Sequence, residues 1–201
     1  MIKRTVAADY DVRSRKYPAL SLKKGDSLLD VRLASGEGDL LLLTKSGMSI
    51  RFPLATVPFQ GRIASGVKGM IVDTGDEVCW CSQLAETDEI ILFSERGWAK
   101  RIPQIDFESQ NRAGKGVRCF YFNKNGSNGR NLAGIAKVNR DLPSDLLIWQ
   151  ARTPVSKLNR NEILLQNRTG KGMPYVMAIL DDIVTRIMPI ETQPLTEESQ
   201  T

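Results

Sequence analysis

The residues best suited to chemistry lie between Gln110 and Arg118. They read QNRAGKGVR and set Arg112, Lys115 and Arg118 around Gly114 and Gly116. Glycines at this spacing let a backbone turn tightly and approach a ligand, and the cations beside them can meet a phosphate. The stretch therefore reads as an anion-binding loop. Near-copies stand on either side: GRIASGVK from Gly61 to Lys68 and QNRTGKGMP from Gln166 to Pro174.

Other chemistries are poorly provided for. The chain of 201 residues has no histidine, which removes the histidine general base, Ser-His and Cys-His nucleophile pairs and the usual zinc sites. Cys79, Cys81 and Cys119 are an odd number and lack metal or redox spacing, so reduced thiols buried in strands are expected. Asp181-Asp182 could mimic a magnesium pair, but a strand-turn setting favours a plain turn. No catalytic group, metal or cofactor is expected. Lys and Arg number 28 against 23 Asp and Glu, a formal charge of +5, so the placement of the cations matters more than their sum. With no signal peptide and no apolar run of membrane-spanning length, a cytoplasmic protein without membrane contact is expected.

Short strands must position these loops. DLLLLTKSGMSIRF from Asp39 is an apolar run, a Lys-Ser-Gly turn and an alternating run, which predicts a hairpin. The same hairpin recurs in DEIILFSERGWAKRI from Asp88 and in DLLIWQARTPVSKL from Asp145. Strands are also expected at Leu28–Ala34, at Gly69–Val72 and over VCWCSQL; helical periodicity is absent from this region. Trp80, Trp98 and Trp149 fall on strands and read as core or inter-repeat contacts.

A fixed interval ties hairpin to loop. Arg4 to Arg15, Arg51 to Arg62, Arg101 to Arg112 and Lys157 to Arg168 are each eleven positions. The repeat is about 50 residues long, the size of a blade of four short strands. Repeats are expected at about 1–37, 38–87, 88–144 and 145–190, the first incomplete, with a disordered polar tail over 191–201.

LLLTKSGMSIRF, GRIASGVKG and the GDEV turn resemble the repeats in the C-terminal domain of bacterial type IIA topoisomerase A subunits, those of gyrase and topoisomerase IV. QNRAGKG resembles the gyrase-A box, Gln-Arg-Arg-Gly-Gly-Lys-Gly. Gln110, Arg112, Gly114, Lys115 and Gly116 match it, as do Gln166, Arg168, Gly170, Lys171 and Gly172; Asn111, Ala113, Asn167 and Thr169 depart, and the copy at Gly61 keeps Arg62 and Gly66. The resemblance implies a propeller-like β-pinwheel whose blades exchange strands; family members usually have five or six blades, and the repeats counted in this sequence give an all-β pinwheel of about four four-stranded blades, the first incomplete. The resemblance also implies a non-catalytic domain that binds and bends double-stranded DNA, partnered by the cleavage core of the same polypeptide and, through that core, by the ATPase B subunit.

On that fold each blade would bring a hairpin-end cation (Arg4, Arg51, Arg101, Lys157) and a loop cation (Arg15, Arg62, Arg112, Arg168) to one rim. Lys16, Lys68, Lys100, Lys115, Arg118 and Lys171 would extend the stripe. Two alternatives stand beside this reading: the loop arginines hold the fold rather than DNA, or the whole domain is a scaffold for protein partners.

Overall fold

The computed structural model describes residues 1–192. Among them the chain forms eleven strands: β1 (Asp39–Thr44), β2 (Met48–Pro53), β3 (Val78–Leu84), β4 (Asp88–Ser94), β5 (Trp98–Pro103), β6 (Val117–Arg118), β7 (Leu132–Asn139), β8 (Ser144–Gln150), β9 (Ser156–Asn159), β10 (Met173–Pro174) and β11 (Val184–Glu191). No helix of the described residues is long and apolar enough to cross a membrane. The three expected hairpins are β1-β2, β4-β5 and β8-β9, each antiparallel, with Leu41 opposite Arg51, Ile91 opposite Arg101 and Leu147 opposite Lys157. A short 3-10 turn follows each hairpin, at Leu54–Thr56, Gln104–Asp106 and Arg160–Glu162.

The chain divides into two compact units. The first comprises residues 1–44, 48–85 and 107–117. Its sheet has the order β3-β1-β2-β6, and Leu40, Leu42, Ile50, Phe52, Leu54, Val57 and Met70 form its core. The second comprises residues 45–47, 86–106 and the chain from 118. It holds the sheets β10-β5-β4-β7 and β11-β8-β9 around Ile91, Phe93, Ala136, Leu146, Ile148, Val184 and Ile187. The first strands of the hairpins are central in their sheets, and every residue of β4 is buried. Burial on both faces explains why DLLLL and EIILF are continuous apolar runs rather than alternating ones.

Strand exchange organises the sheets. β6 belongs by sequence to the repeat of β4 and β5 but adds to β2; β10 follows β9 but adds to β5. Val67 bridges Ile2 in the same manner. These two-residue strands carry no periodicity of their own, because their pairing depends on a loop brought back from the next repeat.

Four sequence expectations differ from the fold. Leu28–Ala34 forms no strand, and Leu28, Leu29, Val31 and Leu33 are exposed. It corresponds to β3 of the next repeat, where β3 pairs with β1; the described residues hold no counterpart of β1 for the earlier repeat. Gly69–Val72 is not a strand of a sheet either: Gly69 O accepts from Ala113 N at 2.8 Å and Ile71 N donates to Gly114 O at 2.8 Å, so the segment is spent on the next loop. β7, absent from the expected strands, alternates buried and half-buried residues against β4. Glu191, expected to open the tail, ends β11 opposite Ser144; the rest of the expected tail, from residue 193, lies outside the described residues.

Candidate nucleic-acid interface

Each box loop is laid against the hairpin of the preceding repeat. Gln60, Gln110 and Gln166 donate their backbone N–H groups to the carbonyls of Arg4, Arg51 and Arg101, at 2.9, 2.8 and 2.9 Å. Parallel bridges join the same cations to Phe59, Ser109 and Leu165. The constant interval of eleven therefore reflects one repeat unit, whereas the groups that meet come from two.

The hairpin-end cations are ion-paired across their own hairpins. Arg51 Nε lies 2.6 Å from Asp39, Arg101 Nη1 lies 2.7 Å from Glu89, and Lys157 Nζ lies 2.7 Å from Asp145. Arg51 also donates to Phe107 O and Arg101 to Ile163 O, equivalent carbonyls of the following loops. The side chains of Arg51 and Arg101 are only 21% and 12% exposed, against 62% for Lys157. Lys157 holds the Asp145 carboxyl below its ordinary pKa, chiefly through the hydrogen bond between them. Arg4 instead lies over the Phe59 ring at 3.9 Å.

The loop arginines clasp the loop before them. Arg112 donates to Lys68 O and Thr56 O, and Arg168 donates to Arg118 O at 2.6 Å. Lys68 and Arg118 occupy the same place, two residues beyond Gly66 and Gly116. Arg62 lies over Tyr17, with its Nη1 buried and unbonded. Gln166 Oε1 accepts from Gly172 N at 3.1 Å, so the box glutamine staples its own loop. Gly116 and Gly172 have φ of +72° and +77°, which explains their type at the point where the chain bends into β6 or β10.

Ala113 departs from the box consensus, which has glycine there, and its φ is +68°. A left-handed L-residue costs about 1–2 kcal/mol, and glycine's larger unfolded-state entropy returns part of that. Ala113→Gly is expected to raise stability by about 0.5–1 kcal/mol, measured as the urea midpoint; an unchanged or lower midpoint would show the residue to be unstrained.

The most exposed of the expected cations are Arg15, Lys16, Lys68, Lys115, Lys157 and Lys171. Lys115 and Lys171 occupy the same box position. Among the described residues Lys115 reaches Asp73, at 3.3 Å, and both of those side chains are largely exposed. Arg118 is half-buried, donating to Ser46 O and lying 5.7 Å from the Tyr121 ring centroid. Lys100 does not belong to an exposed stripe: it is fully buried, and its Nζ donates to Asn167 O, Arg168 O and Gly170 O at 3.2, 2.8 and 2.7 Å. Lys3, absent from the expected set, donates to Ala19 O and Arg62 O. Its position, immediately before the hairpin-end arginine like that of Lys100, was the available signal.

Asp182 is a turn clamp. It accepts from Arg152 N, Thr153 N and Thr153 Oγ1, and these bonds, the hydroxyl foremost, keep its carboxyl below the ordinary pKa. Among the described residues no group of three or more potential ligands could hold a metal ion. Cys119 is fully buried, and burial pushes the Cys81 thiol up to about 11.

The family model described as DNA gyrase C-terminal domain, beta-propeller, matches residues 1–35, 38–79 and 88–128, more than half of the chain. Over 194 residues the chain is 30% identical to the DNA gyrase A subunit of Staphylococcus aureus strain MRSA252, covering 95% of this chain and 21% of that protein. The chain thus spans about a fifth of the length of the curated relatives it matches. A crystal structure of the C-terminal domain of DNA topoisomerase IV superposes with a TM-score of 0.85 at 23% identity, over 95% of this chain and 59% of that one. A structure of the DNA gyrase A C-terminal domain superposes with a TM-score of 0.78 at 17% identity, over 93% and 61%. Both share the fold.

Proposed function

We propose that this chain, which belongs to the family of DNA gyrase C-terminal domains, binds duplex DNA without reading its sequence and bends or wraps it. In this role it is the non-catalytic end of a bacterial type II topoisomerase A subunit, working in the cytoplasm on the nucleoid. It presents the held segment to the cleavage core, and through that to the ATPase B subunit, so setting the balance of supercoiling and decatenation.

The observation that supports this reading most is the equivalent placement of Lys115 and Lys171, exposed on two loops that are each anchored through their own arginine to the loop before. A fixed loop loses little entropy when its ammonium meets a phosphate. Lys68, Arg118, Arg15 and Lys16 supplement that pair, while Arg51, Arg101, Arg112 and Arg168 act mainly by holding the loops. Bending a site costs on the order of 1–6 kcal/mol, so several such contacts must act together.

Duplex affinity of the chain should fall steeply with salt and vary little with sequence. Replacing Lys115 and Lys171 by alanine should reduce the slope of log K against log salt by about 0.9 for each phosphate no longer neutralised, without changing the urea midpoint. Fluorescence anisotropy on a labelled duplex measures both affinity and slope. Wild-type affinity that stays level as salt rises would overturn the proposal and favour a protein-binding scaffold. Writhe trapped in a relaxed plasmid would separate wrapping from simple bending.

A further inference from the structure

The two box loops match in sequence but rest on different supports. Beneath Gln110–Gly116 lies Ile50, whose Cδ1 is 3.6 Å from where a Cβ on Gly114 would stand, and the Gly114 carbonyl accepts from the Ile71 backbone. Beneath Gln166–Gly172 the position of Ile50 is taken by Lys100, and the equivalent carbonyl, Gly170 O, accepts from its ammonium. Two further loop carbonyls, of Asn167 and Arg168, accept from the same Nζ. Lys100, together with the buried Asn128, whose Nδ2 donates to Lys171 O at 3.1 Å, thus does for this loop what the backbone of Gly69–Val72 does for the other.

We propose that Lys100 is a positioning residue of the box loop Gln166–Gly172: its ammonium draws three loop carbonyls inward, fixes the path of the loop before Lys171 and so helps to set where Lys171 is presented. Its effect on DNA rests on the DNA-binding function proposed above; its effect on the loop does not. An ammonium donates three hydrogen bonds and a neutral amine two, so the support depends on protonation. Burial pushes the Lys100 pKa down to about 8. The charged groups that act on it are the Cys119 sulfur when ionised and the Asp106 carboxylate, which raise that value, and the Arg168 guanidinium, which lowers it; the Phe120 ring centroid lies 5.5 Å from Nζ.

The test is amide hydrogen exchange on the whole chain, with Gln110–Gly116 as the control in the same molecule. In Lys100→Met, amides 167–172 are expected to exchange about tenfold faster or more while those of 110–116 keep their rates. If the substitution prevents folding, the wild type answers alone: after correction for base catalysis, protection of 167–172 relative to 110–116 should fall as pH rises from 7 to 9. Equal protection of 167–172 in wild type and variant, or a ratio that does not change with pH, overturns the proposal. Duplex affinity of the wild type should also drop severalfold across that pH range, as the charge beneath the loop is lost, and that of the variant should not. A wild type that binds no duplex at any pH would end the DNA-binding reading, and the exchange rates would still decide the role of Lys100.

Discussion

Gly116→Val is expected to destabilise the first unit by more than about 4 kcal/mol and to release β6 from β2. Two causes act together. Gly116 has a φ of +72°, a region in which a β-branched residue is a severe outlier, and such strain alone costs about 1–3 kcal/mol. A Cβ there would also overlap the Ser49 carbonyl, standing 2.8 Å from its carbon and 3.1 Å from Ile50 Cβ. The obstacle is backbone in a paired strand, so it cannot move aside without breaking the β2-β6 ladder. Trp80 on β3 of the same sheet gives a fluorescence signal for urea unfolding. Gly61→Val is the matched control: nothing lies within 4 Å of its Cβ position, and its midpoint should shift by less than about 0.5 kcal/mol. Equal midpoints for the two variants would mean that the tight passage between loop and hairpin does not matter to the fold.

Arg101→Ala should be nearly as damaging, by about 3–5 kcal/mol, because it strands a charge. Glu89, 7% exposed at its side chain, would lose the guanidinium 2.7 Å away, and Ile163 O would lose a donor. A charge-free pair, Arg101→Met with Glu89→Leu, should recover most of the loss, since burying two matched ions is costly in itself. Lys157→Ala, at the equivalent position, should cost less, about 1–2 kcal/mol: the lost cation is exposed, and Asp145, though only 7% exposed, still accepts from Asn159 Nδ2 at 2.8 Å. Chemical denaturation of the three variants orders them. If Arg101→Ala proved as mild as Lys157→Ala, the hairpin-end arginine would not be a structural anchor, and it would return to the cations proposed to contact DNA.

The local parts of this architecture were legible because their signals are local. The apolar runs, the Lys-Ser-Gly and Glu-Arg-Gly turns and the even spacing of cations specify three hairpins and a repeat without any long-range information. The box glycines were legible as turn residues for the same reason. β6, β10 and the clasps of Arg112 and Arg168 were not, since a two-residue strand or a guanidinium has no preferred partner until another repeat delivers one. Leu28–Ala34 shows the converse: its residues suit a strand, yet none forms without a neighbour to share hydrogen bonds.

By itself, then, the sequence determined an all-β repeat protein with a cationic, glycine-bearing loop in each full repeat, because turn chemistry and apolar patterning act between near neighbours. Only the tertiary structure decided the work of each cation. Lys100 and Lys115 lie fifteen positions apart with the same charge, yet one is sealed beneath three carbonyls and the other stands out in solvent. That difference comes from which loop folds over which hairpin, and solvent access and hydrogen-bond partners then separate a structural ammonium from one free to meet a phosphate.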